Sequence, residues 1–191
     1  TLRDRIYEAD GKTVDIPGIS AIGSYAFYGC TGLTEITIPN ITSSVNTYAF
    51  AECTKLAEVN IGSGLKTIST HCFEGCTAIV NLVIPETVEV IDDYAFYNCT
   101  GMTTLVLRSG VKTIGYRAFT NCLNKGTDTS GKNIAKVFYE GTASKWNGTT
   151  ITVDPSNLMY LTMYADIYFY SETAPGSGNY WRFVDGVATP Y

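Results

Sequence analysis

Six cysteines and a single histidine are the side chains of this 191-residue sequence most able to do chemistry. The stretch HCFEGC sets His71 directly beside Cys72, with Cys76 four residues further on. A thiol nucleophile needs a base aimed at it, and adjacent residues on one short turn seldom form such a dyad. A zinc site would call for paired Cys-x-x-Cys spacing, which is absent. The sequence therefore implies no metal and no cofactor. Disulfides are the third reading, but cysteines in register point the same way rather than at each other, which leaves a buried ladder of small apolar groups with weak donors. The loop GTDTSGKN places Gly126, Gly131 and Lys132 at phosphate-loop spacing, yet Asn133 stands where a magnesium-holding hydroxyl belongs. The segment after it, IAKVFYEG, reads as a strand rather than the required helix. Asn40, Asn98 and Asn147 each open a glycosylation sequon. No Gly-x-Ser-x-Gly and no His-Glu-x-x-His occurs, so catalysis has no support in the residues.

The totals narrow the partners. Net charge is −5 and no Lys/Arg cluster exists, which argues against a nucleic-acid backbone as partner. No apolar run approaches the roughly 18 residues of a membrane span. Hydrophobic residues make up 45% of the chain and charged residues 16%, a composition that builds a core.

What positions the cysteines is a repeat. Phenylalanine falls at Phe27, Phe50, Phe73, Phe96 and Phe119, and cysteine at Cys30, Cys53, Cys76, Cys99 and Cys122, both every 23 residues. A β-branched residue opens each phrase (Ile22, Val45, Ile68, Ile91, Ile114), and a small one precedes the phenylalanine. Self-similarity at this period marks a solenoid. The alternation in LTEITIP, Leu33 to Pro39, predicts a short strand, and stacking equivalents gives a parallel sheet. IGSYAFYGC then returns on the opposite side as one or two helical turns. Its phenylalanine points inward, and each buried ring in the resulting spine contributes about 1.5–3 kcal/mol. His71 falls in the column of Tyr25, Tyr48, Tyr94 and Arg117, a partly exposed position on the convex side.

The pattern Leu-x-x-Leu-x-Ile-Pro…Ile-Gly-x-x-Ala-Phe-x-x-Cys-x-x-Leu, over residues 14–123, resembles the BspA-like leucine-rich repeats of bacterial surface proteins. The resemblance implies an α/β solenoid: a right-handed coil with its parallel sheet on the concave face and short helical turns on the convex face. It also implies a secreted or surface location and, for some members, adhesion to host matrix proteins. No signal peptide is present in this chain.

The ends depart from the repeat. RIYEADGKTVDI reads as a hairpin turning at Asp10-Gly11 that shields the first coil. From Ile134 the composition shifts, and 12 of the 24 aromatic residues lie in the last 58 positions. ADIYFYSETAPGSGNYWRFVDGV reads as two aromatic strands around a Pro/Gly turn. The expected division is 1–133, solenoid with an N-terminal hairpin, and 134–191, an aromatic β-rich C-terminal cap.

A stacked sheet presents one residue column per strand position, so the outward columns can be read off. They give Glu35, Thr37, Glu58, Asn60, Asn81, Val83, Thr104 and Val106, grading from acidic to apolar, as the surface for an extracellular protein ligand. An alternative is glycan binding by Tyr180, Trp181 and Phe183 in NYWRFVDG, a stretch faintly similar to the aromatic hairpins of cell-wall-binding repeats. Trp146 and Trp181 equally suit a small cap core.

Overall fold

The computed structural model describes residues 13–15, 18–123, 126–127, 129, 135–146, 152–173, 176–185 and 187–191. The expected hairpin at Asp10-Gly11, most of the GTDTSGKN loop and Asn147 lie outside these residues.

Two ladders of parallel strands alternate along the chain. The strands are β1 (Thr13–Asp15), β2 (Ala21–Ile22), β3 (Glu35–Ile38), β4 (Ser44–Val45), β5 (Glu58–Ile61) and β6 (Thr67–Ile68). They continue as β7 (Asn81–Ile84), β8 (Val90–Ile91), β9 (Thr104–Leu107), β10 (Thr113–Ile114), β11 (Ala135–Tyr139) and β12 (Thr152–Val153). The four-residue strands form the main sheet and the two-residue strands a second ladder. Pairing shifts by one whole repeat, as in Ile36↔Val59 and Leu82↔Leu105. A period-2 pattern explains the burial: Ile36 and Ile38 face inward while Thr37 faces out.

The opposite side consists of single hydrogen-bonded turns rather than helices. Tyr28 N–H donates to Tyr25 C=O and Cys30 N–H to Phe27 C=O, while positive φ at Tyr25, Tyr48, His71, Tyr94 and Arg117 stops any helix from propagating. Each turn also donates to the next coil, as Phe27 N–H does to Ala49 C=O and Phe73 N–H to Ala95 C=O, both at 2.8 Å. The phenylalanines stack face over face at centroid separations of 5.0–5.3 Å. All six cysteines are free thiols. Cys53, Cys76, Cys99 and Cys122 donate Sγ–H to the carbonyls of Phe27, Phe50, Phe73 and Phe96 at 2.9–3.2 Å, so each thiol ties one coil to the coil before it. Glycine permits the close approach of coils: a Cβ on Gly110 would strike the Glu86 carbonyl oxygen.

One junction differs from the others. Neither β5 and β7 nor β4 and β6 are hydrogen-bonded to each other, so both ladders break between the second and third coils. Arg108 and Glu140 donate backbone N–H groups to Ile84 and Leu107. The equivalent position facing Ile61 is Pro85, which has no N–H to give. At the strand's other end, Ala57 donates to Thr34 and Thr103 to Val80, but Val80 makes no such bond to Ala57 among the described residues. The turns across this junction stay bonded, with Phe50 N–H on Cys72 C=O at 2.9 Å. The seam thus opens only on the strand side, as a recess of about 440 Å³ flanked by Glu58, Asn60, Val80 and Asn81.

Beyond the repeats the main sheet continues. β11 lies in register on β9, and β13 (Ala165–Tyr170) on β11. The short helix α1 (Pro155–Leu158) and a π-type turn (Met159–Met163) precede β13. Here side chains replace the carbonyls that a further coil would offer: Asn157 Oδ1 accepts Phe119 N–H at 2.9 Å, and Ser156 Oγ accepts Arg117 N–H at 2.7 Å. Asn157 is buried, its amide donating to Gly115 C=O at 2.7 Å. The last coil's orphan donors are satisfied in this way. β14 (Tyr180–Val184) pairs with β13 in parallel, not as the antiparallel partner a tight Pro/Gly turn would give. The hairpin is instead made by β14 and β15 (Val187–Pro190).

Candidate binding surface on the sheet face

The outward columns of the main sheet form rows, in register from β1 to β5 and again from β7 to β13, with the 23-residue repeat carrying them across the seam. One row runs Thr37, Asn60, Val83, Val106, Phe138, Tyr168 and the other Glu35, Glu58, Asn81, Thr104, Lys136, Asp166. Thr37, Asn60, Asn81 and Glu58 are exposed, Glu35 and Thr104 are half-buried, and Val83 is 48% exposed. Seven of the eight residues expected to form a binding face therefore reach solvent on one side of the sheet.

Val106 does not. It is only 4% exposed, clustered with Phe138 and Trp181. The cause is the C-terminal hairpin, which leaves the sheet edge after two residues of pairing and crosses the face. Trp181 donates its indole N–H to the Tyr139 carbonyl at 3.0 Å and packs on Phe138 at 5.5 Å, both on β11. Phe183 reaches further, its ring 4.0 Å from the guanidinium of Arg108, the residue after β9. Arg108 is held in turn by Glu140 at 3.0 Å. The apolar end of the outward row is thus roofed by the chain itself, a contact that strand periodicity in the repeat alone does not announce.

The same geometry corrects the aromatic alternative. Trp181 is fully buried with its N–H satisfied, so it cannot stack on a sugar; it is a core residue of the hairpin. Tyr180 is half-buried, and Phe183 is half-buried with Arg108 set over its ring. Trp146 is also buried, against Tyr139 at 5.3 Å.

On the turn side, His71 lies between Tyr48 and Tyr94, with centroids 4.4 and 4.7 Å away, and its Nδ1 meets Glu74 at 2.6 Å. It is part of an aromatic stack and has no thiol in reach of these contacts. Burial pushes the Cys53 thiol up to about 12, and raises Cys72, Cys76 and Cys99 strongly as well. Protonated thiols are poor nucleophiles and poor metal ligands. Among the described residues no group of three or more His, Cys, Asp or Glu could hold a metal ion. Asn98 and Asn40 use their side-chain oxygens structurally, for Asn121 and for the Ser63 N–H. No helix among the described residues is long and apolar enough to cross a membrane.

Comparison with known proteins agrees with this architecture. A family model described as a BspA type leucine rich repeat region matches residues 7–139 in six copies. The matched region ends at Tyr139, the last residue of β11. A leucine rich cell surface protein from Faecalibacterium prausnitzii is 30% identical over 74% of this chain and 35% of its own, with a TM-score of 0.64. The leucine rich repeat protein of T. pallidum is 29% identical over 68% of this chain and 59% of its own, with a TM-score of 0.58. The pneumococcal vaccine antigen PcpA shares the fold at 15% identity, covering 84% of this chain and 45% of its own, with a TM-score of 0.56. No curated protein matches the sequence. The chain thus spans about a third of the Faecalibacterium protein and over half of the Treponema one. Its repeats, register and turn chemistry make it a member of the BspA type leucine rich repeat family.

Proposed function

We propose that this chain is a non-catalytic protein-interaction module of a bacterial surface or secreted protein, binding a host or matrix protein through its open sheet face. In this reading residues 1–133 form the displaying solenoid and residues 134–191 close it. The observation that carries the proposal is the exposed row Thr37, Asn60 and Val83 beside Glu58 and Asn81. Among the described residues the polar side chains of this group enter no ion pair or side-chain hydrogen bond, and a nearly half-exposed valine on a regular sheet is suited to bury against a partner. The similar cell surface protein from Faecalibacterium supports the location.

The test is solid-phase binding to extracellular-matrix proteins, with a Glu58→Lys, Val83→Asp double variant beside the parent. Both substitutions lie on the open face, so the fold should survive, as circular dichroism will report. Binding by the parent and its loss in the variant is the expected result. Equal binding by the two would move the site off this face, and binding only to cell-wall glycans would replace the protein ligand.

A further inference from the structure

The hairpin that buries Val106 also builds something. Between its underside and the sheet lies a cleft of about 460 Å³, within the size range of small-ligand and side-chain pockets. Its floor is Val83, Val106 and Phe138, and its far wall is Phe183 and Ala188. Lys136 stands at one side of the apolar part, between Thr104 and Asp166 in its row.

The cations of the cleft differ. Arg108 is occupied, bonded to Glu140 and covered by the Phe183 ring. Lys136 has no ion-pair partner among the described residues. A half-buried ammonium beside an apolar pocket is the arrangement that takes a carboxylate attached to a hydrophobic group.

The hairpin adds a main-chain element. Tyr191 N–H bonds to Tyr180 C=O, which fixes the antiparallel alternation and makes Arg182 and Thr189 the next bonded pair. Ala188 therefore directs its N–H and C=O away from β14, and Ala188 lines the cleft. A free strand edge beside a pocket selects an extended peptide over a small organic acid.

We infer that the cleft beneath the β14–β15 hairpin is a peptide-binding site, taking an extended segment that ends in an apolar residue and a free carboxylate. The apolar side chain enters between Val106, Phe138 and Phe183, the main chain bonds to Ala188, and the carboxylate meets Lys136. This rests on the reading of the sheet face as a binding surface, and names a partner class for its covered end.

The test uses fluorescein-labelled pentapeptides Gly-Thr-Ala-Thr-Xaa, with Xaa as Leu, Phe, Lys or Asp, each as free acid and as amide. Fluorescence anisotropy should show the Leu and Phe acids binding at least about tenfold more tightly than their amides, the worth of one charge-assisted hydrogen bond. Lys136→Ala should abolish that preference and Lys136→Arg should retain it. Equal affinity of acids and amides, an unchanged preference in Lys136→Ala, or no peptide binding at millimolar concentration would overturn the site. Matrix-protein binding measured on the parent protein, beside its peptide binding, separates the two proposals. Matrix binding without peptide binding removes only the cleft, whereas peptide binding without any matrix ligand removes only the adhesive reading.

Discussion

Two stretches of one row behave differently. Thr37, Asn60 and Val83 stand open to solvent, while Val106 and Phe138, next in the same register, are sealed beneath Trp181. The backbone does not distinguish them, because all are outward positions of parallel strands. The difference comes from what the rest of the chain lays on top. In a solenoid each coil decides what faces inward, and only a non-repeating segment can decide which outward positions remain outward. A binding face is therefore defined as much by the C-terminal hairpin as by the repeats that present it.

That contrast can be broken or sharpened by substitution. The inward spine sets the scale: Phe73→Ala should cost about 3–5 kcal/mol in urea unfolding, because the ring is fully buried between Phe50 and Phe73's other neighbour, Phe96. A near-neutral result would mean that the stack is not what holds the coils. The row itself gives the sharper comparison. Val106→Asp places a carboxylate under the hairpin and should cost on the order of 3 kcal/mol, with Trp181 emission moving to the red as the roof lifts. Val83→Asp, one strand away in the same row, should stay within about 0.5 kcal/mol. Equal costs at the two positions would erase the distinction between open and roofed ends.

Alkaline pH tests four buried cysteines, Cys53, Cys72, Cys76 and Cys99. Their thiol pKa values are raised in the fold by burial, so the native state keeps these protons while the unfolded chain gives them up above about 8.5. The stabilising difference is complete below that pH and is lost as pH rises through the range between the two states' values. Each of these four thiols should cost about 1 kcal/mol for the first unit above 8.5. Urea midpoints at pH 7.5 and 9.5 measure it, and an unchanged midpoint would contradict buried thiols. The smallest effect is a rate: amide exchange should be faster at Val80, beside the seam, than at Thr103, whose N–H is bonded to Val80 C=O.

Much of this was legible in the residues because a repeat states its own geometry. Phe and Cys at fixed spacing gave the inward stack, the thiol donors and the parallel register, since identical neighbours must superpose to share a core. Alternation in EITI gave the strand and its outward threonine. Two things escaped. The positive φ that keeps the turns from becoming helices sits on tyrosine, histidine and arginine, which carry no sign of it as glycine would. The way the cap meets the last coil also escaped, because Asn157 and Ser156 imitate backbone carbonyls with side chains and so break the pattern they complete. The roof over Val106 is a contact between residues 75 or more positions apart, set by where Trp181 finds an acceptor rather than by any local period.

The seam between the second and third coils bears on how such a chain carries load. Pulled along its stacking axis, the solenoid resists through the hydrogen bonds between coils, and among the described residues the strand ladders are interrupted at that junction. Tension would concentrate at that joint and open it like a clasp, with the phenylalanine stack and the bonded turns as its hinge pin. The coils on either side would stay whole, so this seam gives the rod a defined point of compliance instead of a uniform stiffness.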